Sequence, residues 1–179
     1  MQSVPEKDVW DSLSGDLFRR AYSFGLSAVQ LTHVATAIAV ERQDSDIEKS
    51  VINGAHSPAI WFLVGFAFEL FLKSVIVAKG GERADIKSIG HDLVLALQQA
   101  ELSGLELSES TRFSITVANR AHNNSGENRF FFRYGDATSA DVETAEAMIA
   151  SLEDLLDQTV RLIGLPDTKF DTFLVPFQS

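Results

Sequence analysis

The charged residues that are most unusual for their surroundings lie in the apolar stretch from residue 59 to residue 79. Glu69 and Lys73 stand inside it, four positions apart and therefore on one face of a helix. A helix that is apolar on every side is normally buried, and a charge carried there must be paired or hydrogen-bonded. One interpretation is a local ion pair at the rim of the core. The other is a buried polar cluster, in which Glu69 accepts hydrogen bonds from a distant residue, for which Arg133 and His91 are the candidates.

A second chemical feature is the sequence Gly90-His91-Asp92-Leu93 at a predicted helix start. The unpaired N–H groups and the positive dipole end of that helix would lie beside the histidine. His91 is therefore a candidate ligand-binding residue. In the simpler interpretation, Asp92 or His91 only caps the helix.

A third feature is the run in which Arg129 and Arg133 flank three phenylalanines and Tyr134 follows. Both guanidinium groups lie on the same side whether the segment is extended or helical. Arginines and aromatic rings together can clamp a phosphate and stack a base. Arg129, Arg133 and Tyr134 are thus candidates for binding RNA or a nucleotide. Alternatively, the phenylalanines fill the core and the arginines pair with carboxylates.

The positive charge of the chain is concentrated around this run. The whole chain carries −10 at pH 7, which does not fit a general nucleic-acid binder. Between residues 111 and 134, however, four arginines and His122 stand against a single acidic residue. We expect Phe113 and Val117 on an apolar face of the helix that precedes the run. Its polar face either lines an anionic site or faces water, and it consists of Arg112, Thr116, Asn119, Arg120 and Asn123.

Local sequence motifs for catalysis and for metal binding are missing. The chain has no cysteine, which excludes thiolate zinc sites and a cysteine nucleophile. It has no glycine-rich nucleotide loop, no serine-nucleophile elbow and no H-E-x-x-H motif, and its four histidines are scattered. Asp44, Asp46 and Glu48 are typical of a solvated acidic turn. The sequence therefore predicts no metal ion and no cofactor.

Helical periodicity covers most of the chain and predicts an all-α fold. We expect about five helices, over residues 5–43, 59–79, 91–101, 108–123 and 138–163, with a polar turn region at 44–56. Ser23 to Gly25 are positioned to kink the first helix. The helices should form one compact bundle, a single domain over residues 1–179. Its short apolar tail, residues 164–179, is expected to pack on the bundle.

The chain shows no targeting signal. Its start has no basic segment followed by an apolar segment, so we expect no signal peptide. The apolar run that begins at Ala59 is broken by Glu69, which is too soon for a membrane span. A cytoplasmic protein without a membrane segment is the prediction.

Three motifs, in their order and spacing, resemble the bacterial HEPN-like (higher eukaryotes and prokaryotes nucleotide-binding) helical domains. They are ELFLKS at residues 69–74, GHDLVLAL at 90–97 and FRYG at 132–135. The resemblance covers the chain from about Ser57 to the end of the last helix. It implies a compact helical bundle that is often dimeric. Many members are metal-independent RNA-cleaving toxins or immunity proteins, and others bind nucleotides or act as non-catalytic modules.

The catalytic members carry an arginine followed, after four to six residues, by a histidine, and this chain departs from that pattern. The gaps from Arg83 to His91 and from Arg112 to His122 are too long, and that from Arg120 to His122 is too short. The resemblance therefore implies a non-catalytic, homodimeric domain. We expect it to bind RNA, a nucleotide or a protein partner in a bacterial stress or defence context such as a toxin–antitoxin system.

Two alternatives stay open. The first is a metal-independent endoribonuclease, in which His122 acts as general acid or base while Arg120 and Arg112 stabilise the charge on the reacting phosphate. The second is a structural interaction module that docks a protein partner through its apolar tail.

Overall fold

The described part of the chain is helical and contains no strand, which confirms the predicted all-α class. The computed structural model describes residues 12–122, 144–166 and 168–170. Seven helices lie in these ranges: α1 (Leu13–Glu41), α2 (Ile47–Asn53), α3 (Ser57–Ala78), α4 (Arg83–Ile89), α5 (Leu93–Leu102), α6 (Glu109–His122) and α7 (Ala145–Ile163).

The prediction of about five helices is not confirmed, because the described residues contain seven and two short helices lie between the expected ones. α2 and α4 have seven residues each, too few to show a hydrophobic period. Their capping residues mark them instead. The Asp46 side chain accepts a hydrogen bond from the backbone N–H of Lys49 at the start of α2. Glu82 and Asp85 form a reciprocal capping box at the start of α4.

Helix α3 is the central element and contacts each of the other six described helices. Its large side chains Phe68, Phe71 and Leu72 are fully buried, as expected for a helix that is apolar on all sides. The Ser14 hydroxyl on α1 donates to the carbonyl oxygen of Ser74 on α3 at 2.8 Å. The polar side chains of Glu69, Lys73 and Ser74 on α3 are buried in the same core.

Helices α6 and α7 pack together and close one side of the core. Helix α7 begins at Ala145 with Thr144 as its cap and buries Met148, Leu152 and Leu156. The predicted start at residue 138 lies outside the described residues. The Ser114 and Ser151 hydroxyls, 2.5 Å apart, join the two helices. The prediction that Phe113 and Val117 share an apolar face is wrong for Phe113, which is 55% exposed, whereas Val117 is buried. The buried face of α6 carries Thr111, Ile115, Ala118 and His122.

Gly25 in α1 makes room for the beginning of the C-terminal tail. Helix α1 is continuous through Ser23–Gly25. A Cβ atom on Gly25 would lie 2.6 Å from Cζ of Phe170. The Tyr22 ring stacks on Phe170 with ring centroids 5.3 Å apart, and its hydroxyl donates to the carbonyl oxygen of Lys169 at 2.8 Å. Residues 168–170 thus pack on the helices, and residues 171–179 lie outside the described part.

Two described helices, α1 and α3, are long and apolar enough to cross a membrane by length and composition alone. This is weak evidence, because the core helix of a soluble protein passes the same test, and most of the apolar part of α3 is buried against other helices. The cytoplasmic location, the single domain and the homodimer stay predictions.

The contact between Gly25 and Phe170 generates the first testable prediction. Gly25→Ala should destabilise the protein by about 1–3 kcal/mol through overpacking against the Phe170 ring. Glycine-to-alanine in an open helix interior has the opposite sign and stabilises by up to about 1 kcal/mol. Urea unfolding of the wild type and the variant measures the difference.

The matched background is Phe170→Ala, which removes the ring that the new methyl group meets. In that background Gly25→Ala should become stabilising. The same destabilisation in both backgrounds would show that Phe170 does not restrict position 25.

Candidate functional site

A buried carboxylate, that of Glu69, is the centre of the candidate site. Its side chain is only 5% exposed. Oε1 accepts a hydrogen bond from the Lys73 ammonium at 2.6 Å. Oε2 lies 3.0 Å from Nδ1 of His91 and 2.5 Å from Nε2 of His122. We call these four residues the Glu69 cluster.

Three separate elements bring the cluster together. Glu69 and Lys73 lie one turn apart on α3, His91 lies in the turn between α4 and α5, and His122 is the last residue of α6. Gly65, one turn before Glu69, lets α6 approach, because a Cβ atom there would lie 2.6 Å from Nδ1 of His122. Any larger side chain at position 65 would push the imidazole away from the carboxylate.

The turn that carries His91 is held on both sides. Lys73 uses a second N–H to bind the carbonyl oxygen of Gly90 at 2.6 Å. On the other side, the side-chain oxygen of Asn119 on α6 accepts from the backbone N–H of Leu93 at 2.8 Å. His91 is thus positioned by its neighbours along the chain as well as by Glu69.

The N–H groups that begin α5 are already hydrogen-bonded. Asp92 caps the helix by accepting from the backbone N–H groups of Val94 and Leu95, at 3.0 Å each. Since Asn119 takes the N–H of Leu93, the simpler interpretation of this motif, a capped helix start, describes the geometry. His91 therefore has a carboxylate partner, and the helix start beside it offers no unpaired donor among these three N–H groups.

The two imidazoles differ in their access to solvent. An ionised carboxylate can only accept hydrogen bonds, so the ring nitrogens that face Oε2 each carry a proton. The His91 side chain is 55% exposed, whereas that of His122 is 4% exposed. Solvent and ligands therefore reach the Glu69 cluster from the side of His91.

The hydrogen bonds decide the charge of Glu69. Burial raises the pKa of this carboxyl, but the hydrogen bonds from His122, His91 and Lys73, together with the charge of Lys73, outweigh that effect and lower its pKa from 4.5 to about 2. Glu69 is therefore ionised at neutral pH despite its burial.

An aromatic patch, defined as Phe24, Phe62 and Phe66, adjoins the cluster. The Phe66 ring meets His122 edge to face, with centroids 4.7 Å apart, and lies 6.3 Å from the His91 ring. Phe66 also contacts Phe62 at 4.6 Å and Phe24 at 5.5 Å. Phe62 is 53% exposed. The patch thus extends from the buried imidazole to the surface.

An open groove lies beside the aromatic patch, between α1 and α3. Its volume is about 310 Å³. Phe24 belongs to both the groove and the patch, and Arg20 is exposed one turn before it on α1. The complete lining is Arg19, Arg20, Ser23, Phe24, Ser27 and Leu63.

The residues proposed for ribonuclease chemistry do not converge within the described chain. Arg112 pairs with Glu101 at 2.6 Å and lies ten residues from His122 on one helix, which corresponds to about 15 Å. Arg120 is exposed, while His122, two positions further, faces the core. Arg129, Arg133 and Tyr134 lie outside the described residues, as does the proposed contact between Arg133 and Glu69.

His122 is the Glu69 partner that the sequence argument did not propose. From the sequence, His122 is a candidate catalytic residue only. A signal was present, because Thr111, Ile115, Ala118 and His122 follow each other at spacings of three and four and share one helix face. Three small or apolar residues on that face place the histidine towards the core as well.

Comparisons of the chain with protein-family models, with curated proteins and with solved structures found no match. The resemblance to HEPN-like domains therefore depends on the three sequence motifs given above.

Removal of the carboxylate should strongly destabilise the protein. Glu69→Ala leaves the buried Lys73 ammonium without its anionic partner, so we expect a loss of about 3 kcal/mol in the free energy of unfolding, measured with urea. Glu101→Ala is the matched control, because it breaks a more exposed carboxylate pair with Arg112 and should cost less than about 1 kcal/mol. Equal losses in the two variants would contradict a structural role for the buried carboxylate.

The pKa of Glu69 also sets a pH dependence of stability. Because this pKa is lowered from 4.5 to about 2 in the folded state, the unfolded chain binds the proton more readily. The contribution of Glu69 is complete above pH 4.5 and is lost as the pH falls towards 2. It amounts to about 3 kcal/mol, which unfolding at a series of pH values measures. Glu69→Gln should flatten this part of the curve, and parallel curves for the two proteins would contradict the assignment.

Proposed function

We propose that this protein is a HEPN-like helical domain that binds single-stranded RNA or a nucleotide through the aromatic patch, without catalysing a reaction. The two ligands share one chemistry, a flat base linked to a phosphate group. Exposed aromatic rings stack on bases, and neighbouring cations pair with phosphates.

The observation that carries this proposal is the position of Phe62. Its ring is more than half exposed and rests on Phe66, which in turn contacts the His91 and His122 rings. The ring is therefore supported from below and offers its other side to a ligand. Stacking of one base on such a ring is worth about 1–3 kcal/mol.

Groups that can bind phosphate flank the patch on two sides. Arg20 lines the adjoining groove, and the half-exposed imidazole of His91 lies beyond Phe66. Arg129, Arg133 and Tyr134 stay the sequence-based candidates for additional contacts. The net charge of −10 means that binding must come from this local arrangement, because the chain as a whole repels a polyanion.

The absence of catalysis is proposed because the expected general base is occupied. Nε2 of His122 is hydrogen-bonded to Glu69 in a buried position, 4% exposed, and Arg112 is paired with Glu101. Metal-independent cleavage of the predicted type needs a histidine that reaches the substrate hydroxyl and a cation beside the phosphate. Homodimerisation and a role in bacterial stress or defence are proposed from the family resemblance alone.

The test is fluorescence anisotropy with a labelled single-stranded RNA and with a labelled adenine nucleotide, both in buffer with a chelator. We expect Phe62→Ala to weaken binding by about 1–3 kcal/mol, which corresponds to roughly 5- to 150-fold in Kd. We expect Arg20→Gln to lower the salt dependence by about one phosphate contact. The labelled RNA should stay intact on a denaturing gel.

Phe113→Ala is the matched control, because Phe113 has nearly the same exposure as Phe62, 55% against 53%, but lies on α6 and not in the aromatic patch. Its binding should equal that of the wild type. No binding by the wild type, or an equal loss in the two variants, would reject the patch as the binding site. Cleavage of the RNA by the wild type would reject the non-catalytic role.

A further inference from the structure

We propose that Glu69, His91 and His122 bind a divalent first-row transition-metal ion such as Zn²⁺. Each residue offers one ligand atom, and these atoms all lie within 4.8 Å of one another. Two imidazoles and one carboxylate are a ligand set that such ions use in proteins, with further positions left for water or a substrate.

The three ligand atoms can hold an ion after a local rearrangement of the side chains. Ligand bonds to Zn²⁺ are about 2.0–2.2 Å, so neighbouring ligand atoms in a tetrahedral site lie roughly 3.4 Å apart. Oε2 of Glu69 now lies 3.0 Å from the His91 nitrogen and 2.5 Å from the His122 nitrogen. Each of these two distances must widen by less than about 1 Å, and the two imidazole nitrogens, which lie within 4.8 Å of each other, must come to a similar spacing. His91 lies in a turn and is half exposed, so it can make most of that movement.

The surroundings of the three ligands support binding. Lys73 holds Oε1 of Glu69, which fixes the orientation of the carboxylate and leaves Oε2 towards both imidazoles. Gly65 admits the His122 ring, and Phe66 packs against it edge to face. The exposed side of His91 provides the route by which an ion enters and the direction of the open position.

The Lys73 ammonium also opposes a cation, because it lies 2.6 Å from Oε1. It does not fill the site, since its second hydrogen bond is made to the carbonyl oxygen of Gly90 and not to a histidine. We therefore expect moderate affinity. The absence of a local metal motif is no objection, because the ligands are 22 and 31 residues apart in sequence and only the fold joins them.

The experiment is a titration of the tag-free chain of 179 residues with Co²⁺ after chelator treatment, monitored by visible absorption and by calorimetry. We expect one Co²⁺ per chain, with absorption bands in the visible range, and a rise of Tm with Zn²⁺. His91→Ala removes the half-exposed ligand and leaves the Lys73 and His122 hydrogen bonds to Glu69 in place, and it should weaken Co²⁺ binding more than about tenfold. His56→Ala is the control, because His56 is partly buried but lies outside the Glu69 cluster, and it should bind Co²⁺ like the wild type.

Two results would overturn the proposal: no Co²⁺ binding at millimolar concentration, or equal binding by the wild type and His91→Ala. Circular dichroism of each variant checks that the helices are retained. The result is independent of the proposed RNA or nucleotide binding, because the anisotropy experiment is done in chelator and the metal titration contains no nucleic acid. Either proposal can therefore fail alone.

Discussion

The ionised carboxylate of Glu69 is the constraint on which the arrangement of the helices depends. A charge this deeply buried costs several kcal/mol unless donors surround it. Its three donors come from three places: Lys73 on α3, His91 in the turn before α5, and His122 at the end of α6. The hydrophobic effect has no direction, whereas these hydrogen bonds require a particular distance and angle. The carboxylate therefore fixes the relative position of elements that the hydrophobic core only holds together.

This constraint explains why the turn around His91 is held so firmly. Lys73 bridges the Glu69 carboxylate and the carbonyl oxygen of Gly90, and Asn119 binds the start of α5 from the opposite side. The backbone on both sides of His91 is thus tied to α3 and α6. As a result, the half-exposed His91 imidazole lies 6.3 Å from the Phe66 ring, which in turn contacts the surface ring of Phe62. The hydrogen bonds that stabilise the buried charge of Glu69 therefore also position His91 beside the surface that we propose binds a ligand.

The sequence predicted this site as far as local patterns reach. The apolar run around Glu69 and Lys73 indicated a buried charge, and the Gly90-His91 motif indicated where a partner is located. His122 was not foreseen as a partner, because it lies 53 residues from Glu69 and no local rule connects them. The all-α class followed from periodicity, whereas α2 and α4 were missed because seven residues show no period.

The same reasoning limits what a missing motif can exclude. Short metal-binding motifs work because one helix or turn presents several ligands, so scattered histidines argue against that kind of site only. In this bundle residue 69 lies on the central helix α3, residue 91 lies in the turn before α5, and residue 122 lies at the end of α6. Both α5 and α6 contact α3, which brings the three residues together. The buried carboxylate is stabilised by hydrogen-bond donors from several elements, and two of these donors are histidines, which can also ligate a metal ion. Two donor protons and one metal ion are thus alternative partners of the same oxygen, and the buried charge is the reason why either can be held there.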